Sequence, residues 1–115
     1  MGGRSFFVRM VGQYKNANEA FYEAVTETRY LNGNDGYTGT IAEKDSFVVL
    51  EVPNRKNPTE FAEECYNSND GFWNDKWGPA ACVEVKNTWL KTMRGEKWKG
   101  KRNFKVFYFF GWASS

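Results

Sequence analysis

Aromatic and aliphatic residues dominate residues 104–112, which read FKVFYFFGW. Successive side chains of a strand point to opposite faces, so the even-numbered positions would share one apolar face. The odd-numbered face carries Lys105 but also Phe107 and Phe109. A strand that is apolar on both faces is typical of the centre of a sheet that is covered on both sides. The alternative is that some of these rings reach the surface, where a base or a partner could stack on them.

Other segments predict further strands and two helices. Alternating or continuous apolar residues predict strands at 5–14, 46–52 and 80–86, a short strand at 37–41, and a hairpin connection at 42–45. Asn16 is a suitable N-cap for an amphipathic helix that Gly33 would end. Asn57 followed by Pro58 predicts a second helix, which would run to about Asn67.

The order of these elements is β-α-β-β-α-β-β, which predicts a single α+β domain over residues 1–115. We expect two helices packed on one mostly antiparallel sheet. The first six elements follow the split βαβ pattern of a ferredoxin-like sandwich, to which the C-terminal aromatic strand would be added.

Composition restricts the class of protein and its location. The chain has 115 residues, of which 18% are aromatic and 26% charged, as expected for one soluble, ordered domain. No apolar run approaches the roughly 20 residues needed to cross a bilayer, and the N-terminus lacks a signal-peptide core. We therefore expect a cytoplasmic protein without membrane contact. Cys65 and Cys82 are expected to be reduced, with one disulfide in an exported protein as the alternative.

The chain contains no histidine. This excludes a histidine general base, Ser-His and Cys-His nucleophile pairs, and histidine-ligated zinc. The carboxylates are scattered without a metal-loop pattern, so no metal ion or other cofactor is expected. An enzyme that uses carboxylate or lysine chemistry is a third hypothesis after the two binding functions described below.

Charge is distributed unevenly along the chain. Residues 1–85 carry a net charge of −5 and residues 86–105 a net charge of +7, which together give the +2 of the whole chain. A row of cations interleaved with tryptophan could bind nucleic acid, a small anion or an acidic protein, or it could be a solvated hairpin tip. The candidate residues are Lys86, Trp89, Lys91, Arg94, Lys97, Trp98, Lys99, Lys101 and Arg102.

Two loops supply further candidate contacts. The segment DGYTGTIAEK could bring backbone N–H groups close to a phosphate or nucleotide, although it fits neither the P-loop nor the dinucleotide fingerprint. The alternative to phosphate binding is that the glycines let the chain turn into a strand, which is followed by a tight hairpin. The segment WNDKWGP is either a recognition loop or a lid packed on the sheet, and we expect at least one of its tryptophans to be packed. The candidate ligand-binding residues are Tyr37, Thr38, Thr40, Glu43, Lys44, Trp73, Lys76 and Trp77.

The motifs GYTGTIAEK, DKWGPAACVEV and FFGWASS resemble stretches of small uncharacterised proteins from tailed phages and other mobile elements. The resemblance spans most of the chain but implies no residue-specific chemistry. It implies an accessory gene product that acts in the host cytoplasm by binding host machinery or host defence.

The leading hypothesis is a small non-enzymatic phage-type protein that binds and sequesters or inhibits a host factor. The factor would be a host defence protein or a nucleotide-like signal. Domains of this kind can pair edge strands, so a homodimer or higher homo-oligomer is a possible assembly. The alternative function is a nucleic-acid-binding module built on the basic, tryptophan-containing residues 86–105.

Overall fold

The computed structural model describes residues 3–32, 40–53, 55–68, 71–75, 77–85 and 105–114. The strands are β1 (Gly3–Gly12), β2 (Phe47–Val49), β3 (Ala80–Val85) and β4 (Lys105–Ser114). The helices are α1 (Ala17–Asn32) and α2 (Pro58–Asn67), and two 3-10 turns lie at Ile41–Glu43 and Phe72–Asn74.

The strands form one sheet in the order β1-β4-β3-β2. β4 is antiparallel to both of its neighbours, whereas β2 runs parallel to β3. The parallel pair is joined through α2, as a parallel connection requires. These findings confirm the α+β class, the two helices, the mostly antiparallel sheet and the C-terminal strand.

One face of β4 packs against α1. Phe107 and Phe109 on this face are fully buried, in a cluster that also contains Ala20 and Ala24 of α1. The ring of Phe21 lies 5.5 Å from that of Phe109. Alanines at positions four apart let the helix approach the sheet closely, so that the large phenylalanine side chains fill the space between the two layers.

The other face of β4 packs against α2. Val106, Tyr108 and Phe110 are buried in a second cluster with Ala62 of α2. The Tyr108 hydroxyl lies 2.9 Å from Oγ1 of Thr59 in the first turn of that helix, so the buried phenol has a hydrogen-bond partner. The two helices therefore cover opposite faces of the sheet. This confirms the interpretation of the aromatic segment as a central strand covered on both sides.

The three-layer arrangement changes the connectivity expected from the sequence. A split βαβ sandwich keeps both helices on one face and the first strand in the interior of the sheet. Here β1 is an edge strand, and the C-terminal strand lies between β1 and β3. The physical reason is that β4 is apolar on both faces, so a single layer of helices would leave half of it in water.

Both helices begin as the sequence predicts. The Asn16 side-chain oxygen accepts a hydrogen bond from the backbone N–H of Glu19 at 3.1 Å. The Asn57 side-chain oxygen accepts one from the N–H of Thr59 at 2.9 Å, with Pro58 at the first helical position. Each cap satisfies a backbone donor that lacks a partner within its helix.

The hairpin expected at 42–45 is replaced by a 3-10 turn. The N–H of Glu43 donates to Thr40 O at 3.0 Å, and the N–H of Lys44 donates to Ile41 O at 2.9 Å. These i→i+3 bonds define a 3-10 turn, and they turn the Ile41 side chain into the core under α1. Residues 37–39 of the expected short strand lie outside the described residues, and Ile41 at its end belongs to the turn.

Burial on both faces of β4 gives a testable prediction about consecutive residues. Phe109→Ala and Phe110→Ala should each lower the free energy of unfolding by about 3–5 kcal/mol, since each creates a cavity in a different cluster. Chemical denaturation at neutral pH would measure both values. Tyr30→Ala is the matched control, because Tyr30 is 89% exposed and should change stability by less than about 0.5 kcal/mol. A large loss at only one of the two phenylalanines would contradict the three-layer core.

Candidate functional site

Two segments that the sequence marks separately meet in the structure. Residues 71–79, called here the tryptophan loop, are described except for Lys76. The ammonium group of Lys44 donates to the carbonyl oxygen of Gly78 at 2.8 Å and to that of Asp75 at 3.2 Å. Lys44 is only 3% exposed. Its ammonium group therefore holds the loop from inside and is not presented to solvent.

Burial sets the electrostatics of this lysine. Removal from water lowers the pKa of Lys44, and the nearby carboxylate of Asp75 opposes that shift. The backbone carbonyls supply partial negative charge to the ammonium group, so the buried cation is compensated by hydrogen bonds. The geometry makes Lys44 a positioning residue for the tryptophan loop.

Trp73 anchors the loop to the sheet and to α2. Its indole N–H donates to the carbonyl oxygen of Cys65 at 3.1 Å. Its ring makes an edge contact with Phe110, with 5.5 Å between ring centroids. This tryptophan is half-buried and belongs to the α2-side cluster. The expectation that at least one of the two rings is packed is confirmed.

Trp77 points outward from the same loop and is 69% exposed. The side chain of Asp75 accepts a hydrogen bond from the Trp77 backbone N–H at 2.9 Å. The side chain of Asn74 donates to Ser68 O at 3.1 Å and ties the loop to the end of α2. Bonds of this kind from short polar side chains to the backbone hold turns in one conformation. Trp77 is therefore an exposed side chain on a loop that hydrogen bonds hold in place.

The backbone of β4 approaches the tryptophan loop closely at Gly111. A Cβ atom placed on this residue would lie 2.9 Å from the carbonyl oxygen of Trp73. The φ angle of Gly111 is +153°, which L side chains rarely adopt. Glycine at this position allows the loop to rest directly on the strand.

The remaining candidate residues fall into two groups. Thr40 and Glu43 are half-buried; Thr40 precedes the 3-10 turn that leads to Lys44, and Glu43 is the last residue of that turn. The others lie outside the described residues, so the proposed basic surface stays a prediction from the sequence. These residues are Tyr37, Thr38, Lys76, Lys86, Trp89, Lys91, Arg94, Lys97, Trp98, Lys99, Lys101 and Arg102.

The structure also contains a cleft that sequence reasoning missed. It has a volume of about 630 Å³ and is lined by residues 9–14 together with Glu19, Glu23 and Glu27 of α1. The Tyr14 hydroxyl donates a hydrogen bond to Glu23. Burial, this hydrogen bond and the charge of Glu23 raise the pKa of Tyr14. In the sequence, the spacing of these three glutamates indicates only a polar face of α1.

The cysteines are free and lie on different sides of the sheet. Cys82 is buried in the α1-side cluster, whereas Cys65 packs against the α2-side cluster. The sheet between them rules out a disulfide bond within this chain. Burial, together with the charge of Glu84, raises the pKa of the Cys82 thiol to about 12. A thiol with so high a pKa is a poor nucleophile at neutral pH.

Within the described ranges, no group of three or more Cys, Asp or Glu side chains is arranged to hold a metal ion. No helix in the described part of the chain is long and apolar enough to cross a membrane.

Comparison of the chain with models of known protein families, with curated proteins and with solved structures finds no match. The resemblance to phage proteins therefore stays a prediction, and the residues themselves must support any functional proposal.

Replacing the buried lysine should loosen the tryptophan loop. Lys44→Met keeps an aliphatic chain of similar length but removes the ammonium donor from the carbonyls of Asp75 and Gly78. We expect a loss of about 1–3 kcal/mol in unfolding free energy and faster hydrogen exchange at the Gly78 amide. Lys56→Met is the matched control, because the Lys56 ammonium group pairs with Glu64 at the surface. Unchanged exchange at Gly78 in Lys44→Met would show that the lysine does not brace the loop.

Burial of Cys82 predicts a pH dependence of stability. An unfolded thiol ionises near pH 9, whereas the native thiol of Cys82 stays protonated until about pH 12. Its contribution to stability is therefore complete below pH 9 and is lost progressively above it. At pH 10 the loss should be on the order of 1 kcal/mol. The stability difference between wild type and Cys82→Ala should narrow by this amount between pH 7 and pH 10 in urea denaturation. Parallel pH profiles of the two proteins would contradict the shift.

Proposed function

We propose that this chain is a small non-enzymatic binding protein of phage type that sequesters or inhibits a host factor, with the tryptophan loop as its contact surface. The observation that carries the proposal is the combination of an exposed Trp77 with a loop held by the buried Lys44. A large aromatic side chain displayed in this way is typical of the residues that dominate binding energy at protein interfaces.

Two further aromatic side chains support an interface at this end of the sheet. Phe72 is 39% exposed and Trp112 is 36% exposed. Both belong to segments that meet where Gly111, which precedes Trp112, approaches Trp73, which follows Phe72. Partly exposed aromatic side chains close together are a common feature of binding surfaces.

The bracing of the loop would reduce the cost of binding. A flexible loop loses conformational entropy when it is immobilised against a partner, and that loss weakens the complex. Here Trp73 fixes the loop to α2, and Lys44 fixes two of its carbonyls. Trp77 would thus be held in position before the partner binds.

The chemistry of the loop favours a host protein over a nucleotide-like signal. The Lys44 ammonium group donates to backbone carbonyls in the interior, so it is a poor candidate for contact with a phosphate. The edge strand β2 beside the loop exposes Val48 and Val49. Exposed aliphatic and aromatic side chains fit the apolar centre of a protein interface.

The test compares Trp77→Ala with wild type as immobilised bait in a bacterial lysate, with captured proteins and nucleotides identified by mass spectrometry. We expect Trp77→Ala to weaken capture of the specific partner about 30-fold, which corresponds to about 2 kcal/mol at a hot spot. The variant should keep its stability within about 0.5 kcal/mol, because the side chain is exposed.

Tyr30→Ala is the matched control, an exposed aromatic side chain on α1. It should capture the same partner as wild type. A captured protein or nucleotide that is retained equally by all three baits would contradict the role of the tryptophan loop. Capture of oligonucleotides with steep salt dependence and no sensitivity to Trp77→Ala would instead favour the nucleic-acid alternative.

A further inference from the structure

A carboxylate lies at the base of the exposed indole of Trp77. Oδ1 of Asp75 accepts a hydrogen bond from the backbone N–H of Trp77 at 2.9 Å. The indole ring belongs to the same residue as that nitrogen and is joined to its backbone through one CH2 group. Asp75 is exposed, and Trp77 is 69% exposed. A ligand that contacts one of these two groups is therefore within reach of the other.

The turn from Asp75 to Gly78 fixes the carboxylate relative to the indole. The carbonyl oxygen of Asp75 accepts the N–H of Gly78 at 3.0 Å, which closes a β-turn. The same oxygen accepts the ammonium group of Lys44 at 3.2 Å. Aspartate side chains commonly stabilise such turns by bonding to the N–H two positions further on. The backbone and the side chain of Asp75 are thus both held by bonds within this turn.

The carboxylate of Asp75 has further capacity to accept hydrogen bonds. A carboxylate offers two oxygens with about four acceptor positions, and the N–H of Trp77 takes one of them. Oδ2 lies 3.5 Å from the position that a Cβ atom would take on Gly78. Gly78 has only hydrogen at that position, so it places no side chain over this oxygen. The carboxylate can therefore accept from a ligand while it holds the turn.

The charges around the turn favour a cationic ligand. The ammonium group of Lys44 is 3% exposed and donates to carbonyl oxygens on the inner side of the loop. Residues 43–45 and 71–79 contain three acidic and two basic side chains, and Lys44 is one of the two basic ones. With Lys44 buried, acidic side chains outnumber basic ones among the rest. Opposite charge on a partner would be attracted to this surface.

An indole beside a carboxylate matches the chemistry of arginine. Cations bind over the faces of aromatic rings, within about 6 Å of the ring centre, and tryptophan binds them best. The guanidinium group of arginine is planar, so it can stack on a ring while the N–H groups at its edge donate to a carboxylate. The ammonium group of lysine is compact and strongly hydrated, which makes it a weaker fit to the same pair.

We propose that Trp77 and Asp75 together bind an arginine side chain of the partner protein. The guanidinium group stacks on the indole of Trp77, and its N–H groups donate to the carboxylate of Asp75. This inference rests on the function proposed for the tryptophan loop and adds the chemistry of the residue that the loop recognises. The same carboxylate repels phosphate groups, which disfavours a nucleotide or nucleic acid as the occupant.

The test uses blocked tripeptides of sequence Gly-Arg-Gly as probes of the full chain. One control replaces arginine by citrulline, which keeps a planar end group but carries no charge, and another replaces it by lysine. Two-dimensional NMR would follow the indole N–H of Trp77, assigned by its loss in Trp77→Phe. The arginine peptide should shift this signal and bind about fivefold more tightly than the citrulline peptide, with the lysine peptide between them.

Variants separate the contributions of the two side chains. Asp75→Asn keeps an oxygen acceptor for the Trp77 N–H but removes the charge. It should weaken the arginine peptide about threefold at low salt, and the difference should vanish near 1 M salt, where charges are screened over about 3 Å. Unchanged hydrogen exchange at the Gly78 amide would show that the turn is intact. Glu63→Gln, which removes an exposed carboxylate on α2, is the matched control and should bind as wild type does.

Trp77→Leu keeps an apolar side chain but removes the aromatic face. With binding followed at the Gly78 amide, this variant should lose the preference for arginine over citrulline. Equal binding of the arginine and citrulline peptides by wild type would overturn the inference. Equal affinity of wild type and Asp75→Asn for the arginine peptide at low salt, with the turn intact, would also overturn it.

Lysate capture distinguishes failure of this inference from failure of the proposed function. A protein that is captured by wild type and Asp75→Asn alike, but lost by Trp77→Ala, would keep the loop as an interface and overturn arginine recognition. A preference for the arginine peptide that needs both Trp77 and Asp75, without any captured protein, would support the arginine site and contradict the sequestering function.

Discussion

β4 must be covered on both faces, and the rest of the architecture follows from that requirement. Phe109 and Phe110 are adjacent in sequence and fully buried, yet they belong to different clusters. Each buried aromatic side chain contributes roughly 1.5–3 kcal/mol relative to exposure, so neither face can be left in water. Because α1 and α2 take one face each, no further described helix is available to cover the edges of the sheet. Among the described strands, β1 and β2 are the two edges of the sheet.

The buried ammonium group of Lys44 determines how the tryptophan loop is held at the surface. A lysine in this position costs free energy because burial disfavours its charge, as the lowered pKa indicates. The cost is offset by the hydrogen bonds that the ammonium group donates to two carbonyl oxygens. An apolar residue at this position would avoid the cost of burying a charge but could not hold the loop. The hydrogen bonds of the lysine thus outweigh the cost of burying its charge, and they fix the position from which Trp77 is exposed.

The sequence predicts features that depend on neighbouring residues and fails where distant segments meet. Asn16 and Asn57 cap helices through bonds to residues two or three positions away, so local patterns were sufficient for both. The alternation in β4 correctly indicated a central strand. The face of the sheet on which each helix packs depends on which hydrophobic cluster the helix completes. These clusters exist only once the strands have assembled into the sheet. The ferredoxin-like connectivity was inferred from element order alone, which does not specify the face on which a helix packs.

The candidate site depends even more strongly on contacts between segments that are far apart in the sequence. Lys44 and the loop carbonyl it holds at Gly78 are 34 positions apart, and no local pattern connects them. The sequence therefore predicts two separate ligand-binding segments, whereas in the structure Lys44 of one segment supports the tryptophan loop. Glu19, Glu23 and Glu27 likewise indicate only a polar helix face in the sequence, and the cleft that they line with residues 9–14 depends on how α1 packs beside β1.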